Sequence, residues 1–363
     1  MKKNLQTPVQ TLLDELTSTG LDRGLQVAVY LKGELVVDAW SGVADHQTGR
    51  AVDGETLFPV FSVSKGMTAT IIHQMAERGL LAYDRPIADV WPEFAANGKE
   101  SITLRQALNH SSGIPHMPQG VGFSHLADWQ KICAEVADLT PVFPPGSHAE
   151  YHAITYGWIV GEVACRVSGK TFPQLLHEQI SSPLGLNDLY IGIPDAVASR
   201  VAVLEEKNLQ TPDGDPFQSS SVPGWLGPLH AFMNRADMQR ASIPASSGIM
   251  SARAIARHYA ALLPGGVEGV ELLSPARLRE ATQSQGLNNA EGEAASWALG
   301  YQRYEHYSMP DSEVKAFGHG GYGGSLGFGD AGRGLAVGVA KNFLNSGNAA
   351  ERIYQVLVEN LER

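Results

Sequence analysis

Cysteine is nearly absent: Cys133 and Cys165 are the only two in 363 residues. That excludes a disulfide-held scaffold, and both sit in apolar helical patterns that read as buried thiols rather than a bridge. No apolar run approaches the roughly 18 residues that a membrane span requires. Basic side chains are scarce too, 27 Lys and Arg against 38 Asp and Glu, for a formal charge of -11. This balance argues against nucleic acid or an acidic membrane surface as a partner. His148 and His152 lie four apart, but H-E-x-x-H is missing and no carboxylate cluster stands near them, so neither a metal nor a cofactor is expected. Lys2 and Lys3 lead into polar residues instead of an apolar h-region, so a cytoplasmic protein without a secretory signal is expected. The sequence sets no oligomeric state.

What is present is an ordinary globular composition, too long for one small domain. Thr7-Pro8-Val9-Gln10 reads as a capping box opening a helix, with Val9, Leu12, Leu13 and Leu16 on one face and Gly20 at its end. Residues 25–31 and 35–40 read as a hairpin around Lys32-Gly33. Residues 58–61 read as a strand leading into a helix that runs to about Leu80, with Val63, Met67, Ile71 and Met75 at intervals of four. From Tyr83 to about Ser242 the pattern is helices and long loops with no clear strand signal. Helical spacing is seen at 103–109, 126–138, 153–168 and 171–180, while 200–246 reads as mostly irregular. After a helix near Ile255–Leu263, strands are expected at 297–304, 314–317, 325–328 and 335–341, and a closing helix at 347–361. The simplest architecture is α/β of the α+β type. One antiparallel sheet, built from both ends of the chain and flanked by helices on both faces, carries an inserted helical domain. The boundaries would be 1–82 with 243–363 for the discontinuous α/β domain and 83–242 for the helical one, with the active site in the cleft between them.

The stretch Phe61-Ser62-Val63-Ser64-Lys65-Gly66 reads Ser-x-x-Lys at a helix start. Three residues along a helix place a hydroxyl beside an amine, where unpaired backbone N–H groups point outward and an ammonium is disfavoured. Ser312-Glu313-Val314-Lys315 has the same spacing but no helical pattern after it. Gly323-Gly324-Ser325-Leu326-Gly327 fits G-x-S-x-G, yet strand-like sequence follows and no histidine comes after His319, so it reads as a turn. Val167-Ser168-Gly169-Lys170-Thr171 lacks the first glycine of a phosphate loop and reads as the end of one helix and the cap of the next.

Two further segments give Ser62 and Lys65 their context. Tyr151 follows a proline-rich lead, Pro144-Pro145-Gly146, and precedes a helix; Gly318-His319-Gly320-Gly321-Tyr322 lies on or beside a late strand. With Leu108-Asn109-His110-Ser111-Ser112-Gly113, Tyr156-Gly157 and Gly324-Ser325-Leu326-Gly327, these resemble, in order and over nearly the full length, the serine β-lactamase and penicillin-binding-protein superfamily. The closest likeness is to its class C-like carboxylesterases, called family VIII. The resemblance implies a β-lactamase-like fold. It also implies an acyl-enzyme on Ser62, Lys65 and Tyr151 as general base and acid, and an oxyanion hole from the backbone N–H groups of Ser62 and Tyr322. His319, Gly320 and Gly321 would border the substrate. Two departures bear on specificity. Tyr151-His152-Ala153 lacks the amide of the lactamases' Tyr-x-Asn, and His319-Gly320-Gly321 replaces Lys-Thr-Gly with a mostly neutral imidazole.

The resulting expectation is a serine carboxylesterase acting on small, short-chain esters. The alternatives are a β-lactamase, D-amino-acid amidase or peptidase, or acyltransferase using the same site, and a non-catalytic scaffold of the same fold. Ser62 as a mere helix cap, Tyr156 in place of Tyr151, and a purely structural His319 stay open at this point. Phe123, Trp129 and Trp225 are candidates for lining an acyl pocket.

Overall fold

The computed structural model describes residues 4–207 and 221–362. Helix α1 (Gln6–Ser18) starts one residue before Thr7, with Leu5 at the cap position and no side-chain cap. Asn4 takes that role instead, its Oδ1 accepting from Thr7 N–H at 3.3 Å. Strands β1 (Gly24–Leu31) and β2 (Glu34–Asp45) form the expected hairpin. Its two turn residues, Lys32 and Gly33, have φ of 51° and 79°, the paired positive values that match strand twist in a two-residue turn. Next come β3 (Arg50–Ala51), β4 (Phe58–Phe61) and α2 (Ser64–Glu77), then α3 (Leu104–Leu108), α4 (Phe123–Leu126), α5 (Trp129–Ala137), α6 (Thr155–Ser168) and α7 (Phe172–Leu176). Beyond these lie β5 (Leu189–Ile191), β6 (Glu205–Glu206), α8 (Leu229–Met233), α9 (Ala236–Arg240), β7 (Gly248–Met250), α10 (Ala252–Ala260) and α11 (Pro275–Thr282). The chain ends with β8 (Gln302–Tyr304), β9 (Ala316–Gly320), β10 (Leu326–Asp330), β11 (Leu335–Lys341), β12 (Phe343–Leu344) and α12 (Ala349–Glu362).

Seven strands form one antiparallel sheet in the order β3-β2-β1-β11-β10-β9-β8. The two ends of the chain meet at its centre, where Val27 pairs with Val339 and Val29 with Val337. Side chains alternate between the faces of a strand. Val27, Val29, Val337 and Val339 therefore bury against α1 and α12, through Leu13, Leu16, Ile353 and Leu357. Ala28, Tyr30, Ala336 and Ala340 face the other way, into the core that holds α10 and α2. Helices thus cover both faces, in the fold class read from the sequence.

Helix α2 is buried all round, from Ser64 through Ala76, rather than along a single stripe. Most of its polar side chains find partners inside the core. Thr68 Oγ1 donates to Pro244 O at 2.8 Å, Thr70 meets Tyr301 Oη at 2.7 Å, and His73 meets Tyr83 Oη at 2.7 Å. Gly66 permits the closest approach, since a Cβ there would lie 2.2 Å from Tyr259 Oη.

The strand-free reading of 83–242 needs correction. β5 pairs with β7, which also pairs with β4, and β6 runs parallel to β12. Strands of two or three residues are too short to show a period of two, and only their partners stabilise them. The same brevity hid α8 and α9; residues 208–220 of the region read as irregular lie outside the described residues. Of the strand expected at 297–304, only 302–304 is strand. Among the described residues no helix is long and apolar enough to cross a membrane. Cys133 and Cys165 are free thiols, the second only half-buried.

Candidate active site

Ser62 lies in the tight turn between β4 and α2, just ahead of the helix proper. Its carbonyl accepts Lys65 N–H at 3.0 Å. Phe61 before it has φ of 49°, a left-handed conformation that a phenylalanine rarely adopts. The turn is held by Ser64, whose Oγ donates to Phe61 O at 2.5 Å and accepts Gly248 N–H at 2.8 Å. The strained residue before the serine is thus pinned by β7, far along the chain.

Lys65 is completely buried. Its Nζ lies 2.7 Å from Ala153 O, 2.9 Å from Ala245 O and 3.1 Å from Ser62 Oγ. Among the described residues no carboxylate pairs with it. Burial alone pushes its ammonium well below the ordinary lysine value; the helix N-terminus invoked from the sequence is not the resolved cause. A neutral amine has two N–H donors and one lone pair. In that form, with both donors on carbonyls, the lone pair would be free for the hydroxyl proton of Ser62; the protonated form donates to Ser62 Oγ as well. Tyr151 Oη stands 2.9 Å from Ser62 Oγ on the other side. Burial pushes this phenol above the ordinary tyrosine range, so it is protonated and donates to Ser62 Oγ. The serine oxygen therefore sits between the buried Lys65 amine and the Tyr151 hydroxyl.

Tyr151 is held by rings. Trp297 stacks flat on it, centroids 5.1 Å apart and planes 4° apart, and His110 meets its edge at 5.0 Å. The segment 108–113 grips the tyrosine's neighbours: His110 O accepts Glu150 N–H at 3.0 Å, and Ser112 Oγ meets His152 Nε2 at 2.8 Å. These contacts hold the two segments together. Tyr156 is fully buried, and its hydroxyl has no partner among the described residues; Tyr151 is the tyrosine that reaches Ser62.

His319 on β9 is buried beside Trp297, ring centroids 5.7 Å apart. Its Nδ1 lies 2.7 Å from Gly320 O and so must carry the hydrogen. Burial lowers its pKa to about 3, leaving a neutral ring. Gly321 packs so closely on β4 that a Cβ would fall 2.1 Å from Val60 O. Only glycine allows this approach, and it brings Tyr322 to the Ser62 turn, their neighbouring rings Phe61 and Tyr322 edge-on at 5.6 Å.

These residues open onto a cavity of about 360 Å³. Its apolar walls come from Ile154, Val222, Leu226, Leu229, Phe232 and Trp297. Among the described residues no charged side chain lines it, and the only side-chain amide is that of Gln302. The structure thus brings together Ser62, Lys65, Tyr151, His319, Gly320, Gly321 and Tyr322. It does not bring Phe123, Trp129 or Trp225 to the cavity wall. Trp129 donates its indole N–H to Glu162 at 2.6 Å and stacks on Phe172, filling the α5–α6 contact. Trp225 is largely exposed and meets Phe123 edge-on, while Phe123 stacks behind Phe232. Leu226, Leu229 and Phe232 recur every three residues after Pro223, a short apolar face that could have signalled this wall. Trp297, alone among small residues, carried no periodic signal.

A family model described as Beta-lactamase matches residues 13–360. The chain belongs to the beta-lactamase family. Within this family it is 33% identical to Esterase/beta-lactamase LipL of Mycobacterium tuberculosis, over 89% of this chain and 78% of that one. A crystal structure of a family VIII carboxylesterase superposes with a TM-score of 0.88 at 32% identity, covering 98% of this chain and 97% of the other. A penicillin-binding protein homologue from Caulobacter crescentus gives 0.86 at 33% identity, with coverage of 98% and 97%. Like these beta-lactamase-family relatives, the chain is a serine hydrolase, which removes the non-catalytic scaffold from consideration.

Proposed function

We propose that the enzyme is a carboxylesterase that hydrolyses small, short-chain, uncharged esters through an acyl-enzyme on Ser62. The observation that carries this reading is the pairing of Ser62 Oγ with Lys65 Nζ at 3.1 Å and Tyr151 Oη at 2.9 Å on the floor of a cavity that, among the described residues, no charged side chain lines. A substrate carboxylate would lose its hydration there with no cation to face it, a cost of several kcal/mol (order of magnitude). A neutral ester loses little. The placement of Ser62, Lys65 and Tyr151 in one cleft between 83–242 and the flanking segments is also what supports the two-domain division.

In the proposed cycle Ser62 Oγ adds to the ester carbonyl carbon as its proton passes to the Lys65 lone pair. The carbonyl oxygen, now an oxyanion, accepts from the backbone N–H groups of Ser62 and Tyr322. Each such donor is worth about 3 kcal/mol in the transition state. As the tetrahedral carbon collapses, the departing alkoxide takes the phenolic proton of Tyr151. Lys65 returns its proton to Tyr151, leaving an alcohol, an acylated Ser62 and a neutral amine. Water repeats the sequence on the acyl-enzyme and releases the acid. The printed names of the relatives, a carboxylesterase and an esterase/beta-lactamase, support ester substrates.

Gln302 favours a second reading: its amide could face an acylamino group, replacing the Asn missing from Tyr151-His152-Ala153, as in a β-lactam or a D-aminoacyl peptide. Hydrolysis of p-nitrophenyl butyrate, nitrocefin and a D-alanyl peptide, assayed side by side with Ser62→Ala as control, decides between them. Ester turnover should dominate and vanish with Ser62; full ester turnover in Ser62→Ala would end the proposal. Added alcohol acceptors test the acyltransferase option.

A further inference from the structure

Glu206 lies outside the cavity, behind Tyr322, with its side chain only 14% exposed. Three donors from separate parts of the chain converge on its carboxylate. Tyr322 donates its hydroxyl to Oε1, Asn345 donates Nδ2–H to the same oxygen at 2.8 Å, and His230 Nδ1 meets Oε2 at 3.0 Å. Asn345 Nδ2 also reaches Tyr322 Oη at 2.8 Å. The carboxylate is placed there by the two-residue parallel pairing of β6 with β12, Glu206 opposite Leu344. That pairing is too short to add much to a sheet, and β6 borders none of the seven main strands.

Tyr322 sits at the tip of the β9–β10 turn with glycine at 320, 321, 323 and 324. Gly323 and Gly324 have φ of 84° and 114°. A chain so rich in glycine gets little restraint on peptide direction from its own sterics. Backbone bonds from Gly321 N–H to Ser325 O at 2.7 Å and from Gly324 N–H to Gly321 O at 3.1 Å close the turn, and the side chain of Tyr322 adds restraint through its ring against Phe61 and its hydroxyl on Glu206. The third donor reaches further. Helix α8 presents Leu229 and Phe232 to the cavity and, between them, His230 to Glu206.

We propose that Glu206 is a positioning residue for the oxyanion hole, anchoring Tyr322 through its hydroxyl and tying it through His230 to the helix that forms the cavity wall. This rests on the reading that the Tyr322 backbone N–H is an oxyanion donor. A donor must be aimed to within about 0.5 Å and 10–20° to be effective. Loss of one costs about 10²–10³ in kcat, so a donor set loose forfeits part of that.

The test is kcat and KM for p-nitrophenyl butyrate, per active site counted by end-point titration with a fluorophosphonate, alongside thermal melting. Glu206→Ala should lower kcat about tenfold or more with KM changed less than about threefold. Tyr322→Phe keeps the ring and loses only the hydroxyl, and should show a comparable loss. The double variant should be no slower than the slower single one, because both changes break the same bond. Glu206→Gln keeps an acceptor for Tyr322 and should recover most of the rate. A Glu206→Ala enzyme with unchanged kcat, multiplicative losses in the double variant, or a Glu206→Gln enzyme as slow as Glu206→Ala would each overturn the proposal. Should Glu206→Ala not fold, Tyr322→Phe decides alone, and unchanged kcat there overturns it. Failure of the underlying reading is distinguishable, as wild-type protein that takes no fluorophosphonate at Ser62.

Discussion

Arginine and methionine at position 65 separate two ways in which a buried lysine could serve Ser62. If Lys65 acts as a cation, stabilising charge on the serine oxygen, Lys65→Arg retains the charge and the N–H donors and should retain much of the rate. If it acts as a neutral base, arginine fails, because a guanidinium with pKa above about 12 has no lone pair to offer. Burial favours the base: Lys65 is fully buried, no carboxylate pairs with it among the described residues, and its pKa is pushed well down. Loss of a general base costs about 10²–10⁴ in rate, or roughly 3–5 kcal/mol of barrier. Both variants should therefore fall by that factor in kcat/KM on p-nitrophenyl butyrate. Stability gives an independent readout. Burial lowers the pKa of Lys65 in the folded state, so below the unfolded value of about 10.5 the unfolded chain binds the extra proton. The wild type should gain stability relative to Lys65→Met as pH rises from neutral toward 10, by up to about 1.4 kcal/mol per unit. Urea melts of the two proteins at pH 7, 8 and 9 measure the difference. A Lys65→Arg enzyme within tenfold of wild type (~1.4 kcal/mol), or a difference flat with pH, would refute the neutral-base reasoning.

Tyr151→Phe removes the proton donor but keeps the ring on Trp297; kcat should fall about 10²–10³-fold while the melting temperature holds, read by ester turnover and circular dichroism. Phe232→Ala enlarges the cavity wall. Each buried methylene is worth about 0.8 kcal/mol, roughly fourfold, so butyrate should exceed acetate about 15-fold in kcat/KM for wild type, and the ratio should shrink severalfold in the variant. Acid should unfold the protein early. His73, His258 and His319 are buried with pKa lowered to about 3, and His152 to about 4. These groups leave stability intact above about pH 6.5, where both states are neutral, and lose it as the unfolded chain takes up protons below that value. Melting temperatures recorded from pH 7 down to 4.5 should fall steeply, and a flat profile would contradict the burial of these rings.

Much of the site was legible because acyl transfer needs few groups in a strict local order. Ser62 and Lys65 lie within one helical turn, so their spacing carries the chemistry. Tyr151 and His319-Gly320-Gly321 are distant in the chain but sit in segments with their own signatures, a proline-rich lead and a glycine run. The sheet was legible for a similar reason, since β1, β2, β10 and β11 are long enough to show alternating or continuous apolar patterns. What escaped were features whose residues have no local pattern. Trp297 and Phe232 shape the cavity from a loop and a five-residue helix, and β5 and β6 are strands only because β7 and β12 pair with them. Phe123, Trp129 and Trp225 looked like pocket aromatics because aromatic content is visible in sequence and direction is not.

The sequence by itself determined the placing of the Ser62 hydroxyl beside the Lys65 amine and the alternation that makes a two-faced sheet, because each depends on spacing along one element. Only the tertiary structure decided that Lys65 is buried with its pKa pushed down, that Tyr151 rather than Tyr156 reaches Ser62, and that Glu206 stands behind Tyr322. Desolvation, hydrogen-bond direction and ring stacking are set by what the rest of the chain packs around a residue. For Lys65 the deciding partners, Ala153 and Ala245, lie 88 and 180 residues away.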